Sequence, residues 1–411
     1  MVASQEFFRE RRAQAVLKHG ILKRYPVVFA SKTGRSRRVV FLDGYAGRGR
    51  YEDGAPGSPV LLAATAKRMN FRNISGIYVE RRPADFKNLQ KAIASLIRPV
   101  DQLLPGNLED HLPQILESAR GAALFAFLDP FGTALARDQL VGQLLGRSKS
   151  EGPTEVLLHI SISTVARIGG LLRSRKKQGG KFSEQDRKTI EHADKFLGGT
   201  WWHEHFEPVG DEADPRASEA ALRVAAEYQQ QIRVETGCRS VSIPIQHRPN
   251  QLPKYLLVLF TWHRDGMWHF ADAVGKAGRE WEGSWREAEA QKARKRADRR
   301  NPNELTMFDL DEVLPAIEEF DCEEYERQHR TEWESIIADN VERLLHAEGP
   351  FVPVERLDRV YATVFGAAGA RHVRGAIKKL HEAGIVENTG VGNAFYTELL
   401  VPTNSPFRRA G

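Results

Sequence analysis

The stretch RRVVFLDGYAGRG at residues 37–49 decides the fold. Its first half is an apolar run bounded by polar residues, which predicts a buried strand at 37–42. Asp43 ends that run, and glycines follow at positions 44, 47 and 49. A loop without side chains at these positions lets a ligand come close to the backbone. The pattern therefore predicts a ligand site at the carboxyl end of the strand, where open α/β sheets bind their ligands.

The same alternation of strand and helix continues outward from this stretch. A helix is predicted over residues 5–30, with Pro26 marking its end. Strands separated by helix-length segments predict a parallel sheet covered by helices. Further strands are predicted at 74–79, 99–104, 122–128 and 155–161, and the helices between them at about 59–69, 83–97 and 110–119. Two later runs, 255–262 and 267–270, predict an antiparallel pair joined by a turn at 264–266.

Length and composition limit the remaining choices. A chain of 411 residues predicts two or three domains. No stretch approaches the roughly 20 apolar residues that span a bilayer, and the charged N-terminus lacks a signal-peptide core. We therefore expect a cytoplasmic protein. Two cysteines, Cys238 and Cys322, are too few for a disulfide framework or a cysteine-only zinc cluster.

The chain carries a formal charge of +6, which makes nucleic acid a candidate partner. A few additional surface arginines would explain the same number. Residues about 165–215 form a predicted basic insertion, and its candidate nucleic-acid contacts are Arg173, Arg175, Lys176 and Lys177.

Suitable side chains follow successive predicted strands and favour S-adenosylmethionine as the cofactor. Asp43 is expected to accept from the methionine ammonium, directly or through water, and Glu80 from both ribose hydroxyls. Asn107 or Glu109 is expected to contact the adenine amine. The complete predicted cofactor set is Asp43, Gly44, Tyr45, Gly47, Gly49, Glu80, Asn107 and Glu109. A dinucleotide cofactor is less favoured, because the loop DGYAGRG lacks the G-x-G-x-x-G spacing.

The strand at 122–128 leads into Asp129-Pro130-Phe131-Gly132, which is the predicted catalytic segment. An exocyclic amine becomes a better nucleophile when a carboxylate and a carbonyl accept its two hydrogens. Asp129 and the carbonyl of Pro130 would supply these acceptors, and Phe131 would stack on the target base. The alternative is a tight turn that only ends the strand. The segment resembles the D/N-P-P-Y/F motif of amino-methylating nucleic-acid enzymes and, more closely, D-P-F/Y-G-S/T of tRNA guanine-N2 dimethyltransferases.

The C-terminal part has a different composition. Residues 291–328 combine a basic and an acidic block and predict a charged linker. Over 329–411, three predicted helices from Trp333, at 355–365 and at 370–383, with a hairpin of 384–387 and 393–396, predict a winged helix-turn-helix domain. Its third helix would present Arg371, Arg374 and Lys378 to nucleic acid. The alternative is a winged helix used for packing or dimerisation.

The predicted methyltransferase domain spans residues 1–290, and most of residues 10–275 resembles the three-Cys-motif partner protein family, TcmP. The resemblance rests on Lys18-His19 with Leu22 and Tyr25, on Asp43–Gly49, Gly57-Ser58-Pro59, Tyr78–Glu80, Leu128–Gly132 and Tyr255–Phe260. It implies a Rossmann-like methyltransferase fold whose sheet ends in an antiparallel pair. It also implies a radical-SAM-like partner protein with a three-cysteine motif.

Two hypotheses follow from the sequence. The first is an S-adenosylmethionine-dependent methyltransferase that modifies an exocyclic amine of a base in RNA or DNA. The second is a DNA-binding accessory protein whose methyltransferase-like domain has lost catalysis. No metal site is predicted, because the histidines at 203, 205, 263 and 269 lack a third ligand at a suitable spacing.

Overall fold

The computed structural model describes residues 2–69, 73–130, 132, 135–147, 151–178, 182–207, 217–245, 252–299 and 320–403, without the side chains of 2–14, 174–178 and 296–299. Contacts divide the chain into two compact units. The larger unit is residues 22–270. The smaller unit combines residues 1–21 with 271–411.

A seven-stranded sheet forms the centre of the larger unit. Its strands are β1 Val39–Asp43, β2 Ile74–Glu80, β3 Gln102–Pro105, β4 Ala123–Leu128, β5 Thr154–Ser161, β6 Arg239–Ile245 and β7 Tyr255–Thr261. They lie in the order β3-β2-β1-β4-β5-β7-β6. The first five are parallel, and β7 is antiparallel to both of its neighbours. The larger unit is therefore a mixed α/β sheet with an antiparallel end, and the α/β part of the predicted fold class is confirmed for it.

The central strands end at one edge of the sheet. β1, β2 and β4 are buried along their whole length, which explains their continuous apolar sequences. Asp43 pairs in register with Tyr78 of β2 and with Phe127 of β4. The segments that follow these three strands therefore begin side by side.

Helices and helical turns connect the strands. They are α1 Val2–Thr33, α2 Ser58–Arg68, α3 Pro83–Ile93, α4 Leu108–Ser118, a π-helix Gln139–Leu145, α5 Ile162–Gln178, α6 Glu184–Leu197, a 3-10 helix Trp201–Phe206 and α7 Ala217–Thr236. The prediction that the first helix ends at Pro26 is wrong, because α1 continues to Thr33. A proline removes one helical hydrogen bond, and the burial of Tyr25, Phe29 and Ala30 around it offsets that cost.

The predicted antiparallel pair of 255–262 and 267–270 is also wrong. The partner of β7 is β6, and the second run lies inside α8, Arg264–Arg299. The aromatic residues of this run suggested a strand, but Met267, Phe270 and Ala271 are buried at helical spacing. β6 was missed because its apolar residues alternate with Ser and Pro over only seven positions.

The predicted basic insertion is helical. Residues 162–178 and 184–197 form α5 and α6, and each helix buries an apolar side, with Val165 and Ile168 on α5 and Ala193 and Phe196 on α6. Arg167 of α5 and Lys188 of α6 are exposed on other sides of these helices, and the frequency of Arg and Lys in this stretch hid the apolar periodicity.

The smaller unit is mainly helical over its described residues. It contains the part of α8 from Ala271 onward, α9 Cys322–Glu348, α10 Leu357–Tyr361 and α11 Ala370–Glu382, with 3-10 turns at Pro353–Arg356, Ala362–Val364 and Phe395–Thr397. α9 begins eleven residues before the predicted position of Trp333. Asp321 caps it by accepting from the amides of Glu323 and Glu324. The acidic block read as linker is therefore partly a helix start.

The predicted C-terminal hairpin has a different pairing. Residue 386 bridges Pro402 rather than any residue of 393–396. The Glu387 amide donates to the Val401 carbonyl at 2.9 Å, and Leu400 bridges Phe351. Phe395 and Tyr396 lie in a buried 3-10 turn inside the connecting loop. These two aromatic side chains pack inside the loop, and their apolar sequence had suggested a strand.

Candidate functional site

The glycine loop begins at the end of β1 and is fixed from its first residue. Asp43 is fully buried, and its Oδ1 accepts from the amide of Tyr45 at 3.3 Å. The Gly44 amide donates to the carbonyl of Phe127 at 3.0 Å. A Cβ at Gly44 would lie only 2.7 Å from Leu128 and 2.8 Å from Leu108. Glycine is therefore required at this position by the packing of the loop on β4 and α4.

Glu80 connects the end of β2 to this loop. Its Oε2 accepts from the Gly47 amide at 2.8 Å, and its Oε1 accepts from the Arg82 amide at 2.6 Å. The carboxylate is 9% exposed. An ionised carboxylate has about four acceptor positions, so two backbone bonds orient Glu80 and leave it able to accept from a ligand.

The second half of the loop is held by a later glycine. Gly49 has a φ of +83°, and a Cβ there would lie 2.5 Å from Ala92 of α3. The Gly57 amide donates to the Gly49 carbonyl at 2.8 Å. Residues 50–56 consequently form a small exposed excursion between the loop and α2, with a bridge between Arg50 and Pro56.

A cavity of about 500 Å³ lies beside the glycine loop, a size typical of small-molecule sites. Residues that follow β1, β2, β3 and β4 line it together with residues of the π-helix segment and of α6. They are Gly44, Tyr45, Val79, Glu80, Arg81, Arg82, Asp85, Gly106, Asn107, Leu108, Glu109, Pro130, Ala136, Gln139, His192 and Lys195.

The structure brings six of the predicted site residues to this cavity and leaves others outside its wall. The six are Gly44, Tyr45, Glu80, Asn107, Glu109 and Pro130. Gly47 and Gly49 shape the loop without lining the cavity. Asp43 lies beneath the loop, so the structure places its carboxylate in contact with the loop backbone rather than in the cavity wall.

The end of β3 contributes an amide and a carboxylate. Asn107 precedes α4, and its Nδ2 donates to Asp110 Oδ2 at 3.0 Å. Glu109 lies half-buried in the first turn of α4 and makes no hydrogen bond or ion pair with any described residue. Burial raises the pKa of the Tyr45 hydroxyl, and the negative charge of Glu109 raises it further. Glu109 is thus an acceptor that faces the cavity and has no partner in the described chain.

Sequence reasoning missed several lining residues. Arg81 and Arg82 directly follow Glu80, so their position after a strand was a usable signal. Asp85 lines the cavity and pairs with Arg82 at 3.7 Å and with Arg48 at 3.6 Å. His192 and Lys195 belong to α6, more than 80 residues away from Glu109, and no local pattern indicated that this helix reaches the cavity.

Asp129 follows β4 and has a partner on the next strand. Its Oδ1 lies 3.1 Å from Nδ1 of His159, a residue of β5. The His159 ring packs on Tyr255 of β7, with ring centroids 4.7 Å apart. The side chains of Asp129 and His159 are 18% and 11% exposed. Pro130 is buried and lines the cavity, whereas Phe131 lies outside the described residues.

The predicted nucleic-acid residues of α5 are only partly described. Arg173 is half-buried. The side chains of Arg175, Lys176 and Lys177 lie outside the described part of the chain.

The predicted recognition residues of α11 have partners within their own unit. Arg371 pairs with the buried carboxylate of Glu326. Arg374 donates to the Gly392 carbonyl at 3.0 Å, and its guanidinium lies 4.7 Å from the centre of the Phe395 ring. Lys378 is exposed and lies 3.6 Å from Glu382. Of the three, Lys378 has the weakest internal contact.

Two of the four histidines considered for a metal contact carboxylates closely. Nε2 of His203 lies 2.8 Å from Asp194 Oδ1, and Nε2 of His205 lies 2.8 Å from Glu227 Oε2. Among the described residues, no group of three or more His, Cys, Asp or Glu side chains could hold a metal ion. None of the described helices is both long and apolar enough to cross a membrane.

No protein-family model matches the chain, and no curated protein matches it. The solved structures with a similar fold include cofactor-bound Rv0187 from MTB, which is 12% identical over 63% of this chain and 88% of that chain, with a TM-score of 0.31. The methyltransferase domain of bacterial CtHen1 is 12% identical over 60% and 99%, with a TM-score of 0.30. The plantazolicin methyltransferase BpumL, solved with a monoazolic desmethylPZN analog and SAH, is 9% identical over 64% and 89%, with a TM-score of 0.29. All three TM-scores lie below 0.5, so the fold is described from the strand order of this chain.

Proposed function

We propose that this chain is an S-adenosylmethionine-dependent methyltransferase that modifies an exocyclic amine of a nucleic-acid base. One observation carries the proposal: the segments after β1, β2, β3 and β4 line a single cavity, in which Glu80 and Glu109 are suited to the ribose and adenine of this cofactor and Pro130 to a substrate amine. A cavity at the carboxyl edge of a sheet with this strand order is where such a ligand belongs.

The lining residues fit the cofactor part by part. Glu80, already oriented by two backbone amides, accepts from the ribose hydroxyls. Glu109, which has no partner among the described residues, accepts from the adenine amine, and the free oxygen of the Asn107 amide lies at the same strand end. The glycine loop leaves room for the methionine portion above β1. Asp43 supports that loop through the Tyr45 amide instead of contacting the cofactor directly.

The segment after β4 binds the substrate amine that accepts the methyl group. The cofactor supplies an electrophilic methyl group. Asp129 accepts one hydrogen of the substrate amine, and the carbonyl of Pro130 accepts the other, so that the nitrogen lone pair points at the methyl group. Nδ1 of His159 lies 3.1 Å from the Asp129 carboxylate, so a protonated His159 would favour the ionised form of that carboxylate. Transfer would form the N–CH3 bond as the S–CH3 bond of the cofactor breaks, which would leave S-adenosylhomocysteine, and the Asp129 carboxylate would take the proton that the nitrogen loses.

The nucleic-acid target rests on the chain's net charge of +6 and on the C-terminal unit. The order of α9, α10 and α11, followed by the paired segments around Val386 and Pro402, is compatible with a winged helix. The radical-SAM-like three-Cys-motif partner is part of the same proposal and rests on the sequence resemblance.

Calorimetry with S-adenosylhomocysteine tests cofactor binding. We expect the wild-type chain to bind, Glu80→Gln to bind about ten-fold or more weakly, and Glu109→Gln to lose a smaller factor, because each removes a charged acceptor worth about 1.5–3 kcal/mol when fully engaged. Glu117→Gln on the exposed end of α4 is the matched control, since its side chain is 65% exposed and outside the cavity. No binding by the wild-type chain would contradict the proposal.

Methyl transfer to bulk RNA and to bulk DNA tests catalysis. Asp129→Asn should bind S-adenosylhomocysteine like the wild type and lose transfer by about a hundred-fold, the scale of one missing preorganised group. Cofactor binding without transfer to either polynucleotide would favour the accessory-protein hypothesis instead.

A further inference from the structure

α6 presents two polar side chains to the cavity from outside the sheet edge. The helix begins with a capping box in which Ser183 accepts from the Asp186 amide at 3.1 Å. Its buried side carries Ile190, Ala193, Phe196 and Leu197. His192 and Lys195, three residues apart and therefore on one face, line the cavity.

The last turn of α6 lies on the β4 side of the cavity. Gly198 ends the helix with a φ of +80°, and a Cβ there would overlap the side chain of Arg137. Arg137 belongs to the segment after β4, and its guanidinium is bound to Glu235 of α7 at 2.5 Å. Lys195 precedes Gly198 by three residues and lines the cavity, as do Ala136 and Gln139 on either side of Arg137 in sequence.

Lys195 is exposed and makes no hydrogen bond or ion pair with any described residue. Of the other cations that line the cavity, Arg82 contacts Asp85, and Arg81 directly follows Glu80 at the end of β2, on the side proposed for the ribose. Lys188, on the same helix as Lys195, contacts Glu184 at 2.7 Å. An ammonium group that faces a cavity and lacks a carboxylate partner in the described chain is suited to an anionic group of a ligand.

The strand order indicates which part of the cofactor lies nearest to Lys195. With the ribose at Glu80 after β2 and the adenine at Glu109 after β3, the methionine portion extends across β1 towards the β4 side. Its end carries an ammonium and a carboxylate. We infer, on the basis of the proposed function, that Lys195 binds the carboxylate of the cofactor's methionine portion, with His192 beside it. The helical insertion between β5 and β6 would thus complete the cofactor site.

Two ligands that differ in the methionine portion test this assignment. S-adenosylhomocysteine carries the amino-acid group, and 5′-methylthioadenosine keeps the adenosine but lacks it. Calorimetry on the full chain should show Lys195→Met binding S-adenosylhomocysteine about ten-fold more weakly than the wild type, the lower end expected for a charge-assisted hydrogen bond at an exposed site. Its affinity for 5′-methylthioadenosine should stay within about two-fold. Lys195→Arg, which keeps the charge, should recover most of the loss.

Lys188→Met is the matched control, because it removes a lysine from the same helix outside the cavity. It should leave both affinities unchanged. Both lysines are exposed, so thermal unfolding of the variants should follow the wild type and exclude misfolding as the cause.

Each other result overturns the assignment. Equal losses for the two ligands would mean that Lys195 acts on the adenosine portion or on the shape of the cavity. No loss for either, combined with weaker binding of a single-stranded oligonucleotide, would assign the lysine to a substrate phosphate. A wild-type chain that binds neither ligand refutes the proposed function itself, which is a different outcome from a wild-type chain that binds both without dependence on Lys195.

Discussion

Each unit of the molecule buries a glutamate next to a glycine-bearing loop, with different consequences. In the larger unit, Glu80 accepts directly from the amides of Gly47 and Arg82. In the smaller unit, Glu326 is 4% exposed and is surrounded by Arg279, Arg371 and His372. Glu80 has no ion pair with any described residue and faces a cavity, whereas the charge of Glu326 is balanced inside the protein.

The partners of Glu326 hold their loop indirectly. Arg279 donates to the Ala367 carbonyl at 2.5 Å, and Nδ1 of His372 accepts from the Gly369 amide at 2.8 Å. His372 Nε2 therefore carries the proton, and it lies 3.1 Å from Glu326 Oε1. Burial is the main reason that the pKa of His372 falls to about 4. A buried glutamate thus belongs to a packed cluster in the smaller unit and to the wall of a cavity in the larger unit. The difference is that cations of the described chain balance the charge of Glu326 but not that of Glu80.

The largest expected effect is the loss of stability of the smaller unit when Glu326 is removed. Glu326→Ala leaves the guanidinium of Arg279, which is 7% exposed, without its carboxylate. Breaking a buried ion pair from one side costs about 3–5 kcal/mol, so chemical denaturation of the full chain should show a transition of the smaller unit at much lower denaturant. Cofactor affinity should not change.

Glu324→Ala, two residues away at an exposed pair with Arg327, is the control and should shift the transition little. The contrast between the units would be broken if Glu326→Ala weakened S-adenosylhomocysteine binding or left unfolding unchanged.

The next largest expected effect is a pH-dependent change in the free energy of unfolding, caused by a third buried glutamate. Glu155 of β5 is fully buried, accepts from Tyr25 and Thr261 at 2.6 Å each, and has no cation partner among the described residues. Burial raises its pKa from 4.5 to about 7. Between these pH values the folded chain keeps a proton that the unfolded chain releases, so the free energy of unfolding falls as pH rises from about 4.5 to about 7. The difference of about 2.5 between the two pKa values corresponds to roughly 3 kcal/mol.

Glu155→Gln keeps the shape and the acceptor without the titration. We expect its unfolding free energy, measured from pH 5 to 8, to lack this decline, so that the variant gains on the wild type as pH rises. His372 changes in the opposite direction, since its lowered pKa costs stability as pH falls below about 6.5. The difference between wild type and variant removes this common term, and a difference that does not vary with pH would contradict the assigned role of Glu155.

The sequence predicted the parts of the site that depend on neighbours along the chain. The strand ending at Asp43, the glycines after it and the acidic end of β2 could be read directly, because parallel strands ending together bring their following residues to one edge. Glu109 followed from the same rule. These features need only the alternation of strands and helices to be recognised.

The rest depended on contacts between distant residues. His159 was not singled out, because nothing beside it in sequence shows that β5 places it 3.1 Å from Asp129. Arg371 was assigned to nucleic acid on helical spacing alone, although Glu326, 45 residues earlier, occupies its guanidinium. Helical spacing identifies the face on which a cation lies and does not show whether that cation is already paired.

The smallest expected effect compares two adjacent lysines of α11. Lys378 is exposed and only 3.6 Å from the equally exposed Glu382, a pair worth little in water. Lys379 contacts the buried carboxylate of Glu334 at 3.1 Å. If α11 contacts DNA, Lys378→Ala should lower the slope of log binding constant against log salt by about 0.9, the share of one phosphate contact, whereas Lys379→Ala should lower stability and leave the slope unchanged. Fluorescence anisotropy with a labelled duplex over a salt series measures both slopes. Equal slopes for wild type and Lys378→Ala would mean that this face of α11 does not contact phosphates, and the smaller unit would then be a packing domain in which cations serve carboxylates of their own chain.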